Sequence, residues 1–263
     1  MKEIQVKNRQ DCPSYSEWEE IIGKALAQIR RGKFEKVVLA RKTTFELEKE
    51  ICPFDLLQRV KTHNCTLFAH VTDKQAFIGA TPETLYRREG NLIFTHALAG
   101  TALNPADLER DKETREFAYV SAFIEEKLRD LCSSVKVEKP NILYTGHLYH
   151  KQIPFSGVLK PGISDAEIIA ALHPTPAIGG FPRKEALDFI KNHEPFSRDL
   201  YASPIGYMSP ERAEFVVAIR SCFIEGNKLH LFAGAGIVEG SDPEKEWEEL
   251  ENKIAPFIKV LQC

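Results

Sequence analysis

The sequence predicts an α+β fold built on largely antiparallel sheets. Long β-branched runs such as Lys36–Phe45 partly alternate apolar and polar residues. Short turns at Glu89-Gly90 and Gly226-Asn227 join neighbouring strand candidates as hairpins. Helical segments interrupt these strands, which is the α+β pattern.

Taken in order, the first helix is expected over Ser16–Arg31. Ser16 and Glu19 have capping-box spacing, and Gly32 ends it. The strand Lys36–Phe45 follows, then a short helix near Phe54–Lys61. Strands are expected at Cys65–Val71, Gln75–Gly79, Thr84–Arg88 and Leu92–His96. A long polar helix is expected over Pro105–Cys132, then strands at Val135–Tyr144 and His147–Phe155. Helices near Asp165–Leu172 and Arg183–Lys191 precede a loop-rich stretch, Glu194–Ser209. Glu214–Ile224 and Lys228–Ala233 are expected to form a hairpin, and a last helix runs to the C-terminus.

A length of 263 residues allows one large domain or two small ones. Apolar content of 43% and charge of 28% are those of an ordinary soluble globular chain. A net charge of -3 gives no general drive toward nucleic acid or anionic membrane. No apolar run approaches the ~18 residues of a membrane span. Met1–Lys7 has no apolar signal core. Cys12, Cys52, Cys65, Cys132, Cys222 and Cys263 form no C-x-x-C pair, which argues against a zinc or redox motif. Reduced thiols in a cytoplasmic protein fit this pattern. No internal repeat or clear linker is visible.

The densest chemistry lies between Leu231 and Lys253. An apolar strand runs into Gly234 and Gly236, whose missing Cβ atoms let backbone N–H groups approach an anion. A helix then opens after Ser241-Asp242-Pro243. Glu246, Glu249 and Lys253 fall on one stripe of it. Two carboxylates facing one way suit a hard cation such as Mg2+. Taken alone this is also what a solvated helix face looks like. The same holds for Lys36 at a strand start, Glu83 after Pro82, and Glu116 on a charged helix. Arg220 is less ordinary, because it ends the apolar run Phe215–Ile219 and a desolvated guanidinium needs an anionic partner. His173–Pro182 is too rich in Pro and Gly for a regular element and reads as a shaped loop.

Together, these segments resemble the chorismate-utilising enzymes. That family includes isochorismate synthase, salicylate synthase, the large subunit of anthranilate synthase and aminodeoxychorismate synthase. The matching stretches are KVVLAR (Lys36–Arg41), GATPE (Gly79–Glu83), LAGT (Leu98–Thr101), Lys112–Glu116 and His147-Leu148. HPTPAIGGFP (His173–Pro182), Glu194-Pro195-Phe196, Ile219-Arg220 and Phe232–Lys253 complete the set. The resemblance runs from about residue 30 to the end and implies one chorismate-binding catalytic domain over 1–263. Its implied fold is an α/β sandwich with two large, mainly antiparallel sheets flanked by helices. Lys36 stands where the ammonia-using members carry glutamine. Ala99 stands where aminodeoxychorismate synthases carry a lysine nucleophile. HPTPAIGG and EPFSRDLY are most similar to the isochorismate synthases.

The resemblance implies that water adds at C2 of chorismate as the C4 hydroxyl leaves. Lys36 would be the general base and Glu83 the general acid, on opposite sides of the ring. Mg2+ would be held by Glu116 and Glu249, with Glu246 direct or through water. Arg220, Tyr201, Lys253 and the backbone at Gly234 and Gly236 would hold the enolpyruvyl carboxylate. Gly100 and Thr101 would pack under the ring, and His147 would lie near the ring carboxylate. Ala177 and Ile178 would wall the attacking water.

Relatives of this type extend further at the N-terminus, so the chain reads as N-terminally short. An uncovered sheet edge would be a pairing hazard, and either a monomer or a homodimer is compatible with this. The Tyr201–Pro204 stretch departs from the glycine pair that some relatives carry there. A salicylate synthase, releasing pyruvate from the same site, and a shortened inactive chorismate-binding protein are the alternative readings. The product would feed menaquinone or siderophore synthesis.

Overall fold

The computed structural model describes residues 4–261, so Met1–Glu3, Gln262 and Cys263 lie outside the described residues. In chain order the elements are β1 (Val6–Cys12), α1 (Tyr15–Arg30), β2 (Lys36–Leu47), α2 (Pro53–Arg59), β3 (Thr66–Val71), β4 (Gln75–Thr81) and β5 (Thr84–Glu89). Then come β6 (Leu92–Ala102), α3 (Asp111–Leu131), β7 (Cys132–Val137), β8 (Asn141–Tyr144), β9 (Tyr149–Leu159) and α4 (Asp165–Leu172). The chain finishes with β10 (Gly180–Phe181), α5 (Arg183–His193), β11 (Pro204–Met208), β12 (Arg212–Val217), β13 (Ser221–Glu225), β14 (Lys228–Ile237) and α6 (Pro243–Leu261).

Two seven-stranded antiparallel sheets result, as expected. The first runs β1-β2-β14-β13-β4-β3, with β10 also on β2. The second runs β11-β12-β5-β6-β9-β7, with β8 also on β9. One apolar cluster packs α1, α2, α5 and α6 on the first sheet through Trp18, Ile22, Leu39, Phe189 and Leu250. A second joins Ala40 and Phe232 of that sheet to the second sheet, α3 and α4. No helix among the described residues is long and apolar enough to cross a membrane.

Several expected boundaries change. The capping box of α1 is Ser14 with Glu17, not Ser16 with Glu19. The long polar helix is broken: a 3₁₀ turn, Pro105–Glu109, ends at an extended Arg110, and α3 starts afresh at Asp111. Expected strand Val135–Tyr144 is two strands, both paired with β9. Expected strand Glu214–Ile224 is also two, and they belong to different sheets. The Gly226-Asn227 hairpin joins only β13 to β14. β12 pairs with β5 and β11 instead. Between β12 and β13 the chain crosses sheets, and Arg220 adopts φ +50. β1 and β11 were not expected, because both are mostly exposed edge strands without a clear apolar alternation.

The end of the shaped loop is clamped to β2 through β10. Gly180 pairs with Val37. With φ +138, a Cβ there would lie 2.2 Å from the Lys36 carbonyl oxygen and 2.8 Å from Val37 Cα. The backbone of β2 cannot move away, so Gly180→Ala is expected to cost more than about 2 kcal/mol in urea unfolding. Gly23, within α1, has nothing within 4 Å of a Cβ. Gly23→Ala is therefore expected to stabilise by about 0.5–1 kcal/mol. An unchanged midpoint for Gly180→Ala would mean that the loop is not clamped here.

Candidate functional site

Two sheet-to-sheet crossovers meet at one place. One is Pro82-Glu83, between β4 and β5; the other is Ala218–Arg220, between β12 and β13. Val217 N–H donates to the Glu83 carbonyl at 2.9 Å, and Ala80 N–H donates to the Arg220 carbonyl at 3.1 Å. Both side chains line a narrow cavity enclosing about 60 Å³ of water-accessible space. Gly100, Thr101, Glu116, Ala177, Ile178, Tyr201, Gly234 and Lys253 also line it. Ten of the sequence-predicted site residues thus converge on one cavity, Glu83 and Arg220 included.

Glu83 is 5% exposed. Burial pushes its carboxyl up to about 7, against the opposing pull of Lys36, Thr175 and Lys253. It therefore keeps a proton to near neutrality. Arg220 is partly buried, which lowers it from an ordinary value so high that the guanidinium stays charged. Lys253 donates to the Gly234 carbonyl at 2.7 Å and lies 2.6 Å from Glu249 Oε1. Tyr201 stacks on Phe232 with ring centroids 5.2 Å apart, and burial pushes its phenol up to about 12. A Cβ on Gly234 would come within 3.0 Å of the Tyr201 hydroxyl, so glycine makes room for that group. Beyond Phe232, β14 outruns its partner β13, which leaves one backbone edge unpaired beside the cavity.

Lys36 and Gly236 sit behind the cavity wall. Lys36, the first residue of β2, is wholly buried. Its Nζ is 3.0 Å from Glu116 Oε1, yet outside hydrogen-bond geometry. Burial lowers the ammonium pKa, with Glu116 pulling the other way. A Cβ on Gly236 would lie 2.2 Å from Glu116 Oε1 and 3.0 Å from Lys36 Cε. The missing Cβ leaves room for this ion pair, and Gly236 itself is not among the residues lining the cavity.

His147 also lies outside the main cavity. Its Nε2 is bound to the Asn252 carbonyl at 2.6 Å, in a separate small cavity on the far side of Arg220 and Lys253. The histidine in the main cavity is His150, buried on β9. Its Nδ1 donates to the Gly100 carbonyl at 3.0 Å, since a carbonyl can only accept. That leaves Nε2 as acceptor for Arg220 Nη2 at 3.3 Å. Burial, helped by Arg220 and Lys253, holds the ring down near 3 and therefore neutral. Two histidines three residues apart fit either phase of a strand, and only the start of β9 at Tyr149 turns the second one inward.

Arg198 was also missed. It donates to the Ile178 carbonyl at 3.0 Å and to the Val38 carbonyl at 2.7 Å. It also pairs with Glu194, whose Oε1 accepts from Ala40 N–H at 2.8 Å. This strut ties the shaped loop to β2.

Glu246 and Glu249 face α3 across a neighbouring cavity lined also by Thr101, Lys112 and Glu113. Lys112 Nζ lies 2.8 Å from Glu246 Oε2 and 3.3 Å from Glu249 Oε2. Burial and the nearby Glu249 raise the Glu246 carboxyl, although Lys112 opposes them. Burial would raise Glu249 too, but Lys253 and Lys112 outweigh it and hold that carboxyl down. Among the described residues, no three acidic, histidine or cysteine side chains converge as a finished metal centre. Glu116, Glu246 and Glu249 are instead each engaged by a lysine. The donor set nevertheless fits a hard divalent cation, being all carboxylate. It has a fourth member, Glu113, whose Oε2 is buried with no hydrogen-bond partner among the described residues. The E-x-x-E spacing of Glu246 and Glu249 recurs in Glu113 and Glu116, and that repeat was the signal that could have found it.

The isochorismate synthase MenF of Haemophilus influenzae is 36% identical over 258 residues, covering 93% of this chain and 60% of that protein. MenF of Bacillus subtilis is 37% identical over 262 residues, covering 93% of this chain and 55% of its own length. The structure of the menaquinone-specific isochorismate synthase MenF from Escherichia coli matches with a TM-score of 0.91 at 34% identity. That match covers 100% of this chain and 65% of the other. The chain thus spans less than two thirds of the length of these relatives. A family model described as chorismate binding enzyme matches residues 2–262, and the chain belongs to that family.

Proposed function

We propose that the chain is an isochorismate synthase, which exchanges a hydroxyl on the chorismate ring with Mg2+ as cofactor. The observation that carries this reading is Glu83: a buried carboxyl, protonated to near neutrality, facing a cavity closed by Arg220 and Lys253. Similarity to proteins named isochorismate synthase supports the choice of substrate.

Arg220 suits a bidentate grip on the enolpyruvyl carboxylate, with Lys253 and the Tyr201 hydroxyl beside it. Neutral His150 holds Arg220 on one side without adding charge, and Arg198 holds the Ile178 wall against β2. Water attacks C2 and gives its proton to the amine of Lys36. The ring double bonds shift, the C4–O bond breaks, and Glu83 protonates the departing hydroxyl as water. Lys36 must be neutral for this, and burial favours that form while Glu116 opposes it. Glu113, Glu116, Glu246 and Glu249 would hold Mg2+, which supplies positive charge for the ring carboxylate. Ala99 offers no nucleophile, so no lysine adduct can form there.

Chromatography of products from chorismate, with and without Mg2+, tests the reading. Isochorismate formed only with Mg2+ is expected. Salicylate with pyruvate would make the chain a salicylate synthase, and binding without turnover would make it an inactive chorismate-binding protein.

Glu83→Gln separates the acid role from a packing role. Turnover is expected to fall about 10²–10⁴-fold with chorismate binding kept. In the unaltered protein, turnover should decline as pH rises through about 7, where Glu83 loses its proton. Stability has the matching sign. A carboxyl raised by folding costs stability as pH climbs from its ordinary 4.5 to about 7. Glutamine escapes this cost, so Glu83→Gln should gain about 2 kcal/mol relative to wild type at pH 8 compared with pH 5. Equal effects at both pH values in urea unfolding would refute the buried acid.

A further inference from the structure

Lys112 has no part in the proton transfers above, yet its ammonium bridges two carboxylates of the candidate cation site. It lies in the first turn of α3, one residue before Glu113, and reaches across to α6. There it bridges Glu246 Oε2 at 2.8 Å and Glu249 Oε2 at 3.3 Å. The bridge satisfies the carboxylates of α6 only. Glu113, 9% exposed, keeps a buried Oε2 with no partner on the α3 side. A univalent ammonium on a tether cannot serve both helices at once, whereas a divalent ion between them can.

We propose that Lys112 is a built-in occupant of the divalent-cation site. Its ammonium pins Glu246 and Glu249 together in the cation-free protein and is displaced when the ion binds. The inference rests on the Mg2+ reading above. The reason for displacement is elementary: an ammonium and a divalent ion sharing the same two carboxylates would repel each other at close range. The neighbouring cavity, of about 370 Å³, gives the side chain somewhere to go. Lys112 lines it together with Glu113, Glu246 and Glu249, and its own side chain is 22% exposed. The lysine therefore needs only to swing outward for the ion to replace it. In this arrangement the carboxylate cluster never stands without a counter-charge, and the protein gives up some cation affinity for that.

Calorimetric titration of the purified protein with MgCl2, without chorismate, tests this in wild type, Lys112→Gln and Lys112→Arg. Lys112→Gln is expected to bind Mg2+ at least about tenfold tighter than wild type, because the competitor is gone. Lys112→Arg, which keeps a competing cation, should bind much as wild type does. A role in packing alone would not tighten binding. Wild-type binding with no gain in Lys112→Gln overturns the Lys112 proposal and leaves the Mg2+ reading standing. Mg2+ binding by none of the three overturns both. Should the glutamine variant fold poorly, ¹⁵N-lysine NMR of wild type gives the same decision. A slowly exchanging Lys112 ammonium signal in the cation-free protein should vanish at saturating Mg2+, and its persistence would overturn displacement.

Discussion

Desolvation of charge at the seam between two sheets is the constraint on which the rest of this structure depends. Lys36, Glu83, Glu116, His150, Arg220 and Glu246 are all buried or nearly so, within one connected region. An ion in such a place is expensive unless another ion or a hydrogen bond answers it. Each group shows the consequence. Glu83 keeps its proton, His150 stays neutral, and Lys36 leans toward the free amine while Glu116 pulls back. In the proposed reaction the acid and the base would acquire their roles from where the fold puts them, not from residue type.

The fold puts them there through irregular backbone. Regular strands supply the frame, but Glu83 and Arg220 both sit where the chain leaves one sheet for the other. The two crossovers are hydrogen-bonded into each other's sheets. At Gly236 the sheet gives up a side chain so that the Lys36–Glu116 pair can lie against it. The Arg198–Glu194 strut holds the Ile178 loop to β2, and Gly180 clamps that loop at Lys36 and Val37. Arg41 plays a comparable part outside the cavity. It runs from β2 to Glu251 on α6 at 2.8 Å, with its guanidinium 4.2 Å from the Trp247 ring. This anchors the helix that carries Glu246, Glu249 and Lys253.

Much of this was legible in the sequence, and most of the misses share one cause. Elements fixed by local pattern were found: the β2 run from Lys36, the Gly226-Asn227 turn, and the helix that carries Glu246, Glu249 and Lys253. Residues whose role depends on partners distant in the chain were not. Arg220 was legible as a desolvated cation, but the sheet crossover just before it was not, because an apolar run looks the same whether it stays in one sheet or changes sheets. His150 lost to His147 for want of the strand phase. Glu113 and Lys112 looked like any charged helix start until α6 was set opposite them. The edge strands β1 and β11 carry little apolar signal because little of them is buried.

The central claim is that burial, rather than a metal or a neighbouring charge, makes Glu83 the acid. Difference infrared spectroscopy of wild type against Glu83→Gln, across pH 4 to 9, reads that proton directly. The account requires a protonated carboxyl band that disappears with a midpoint near 7. A band that is already gone by the ordinary carboxyl range of about 4.3 would contradict it.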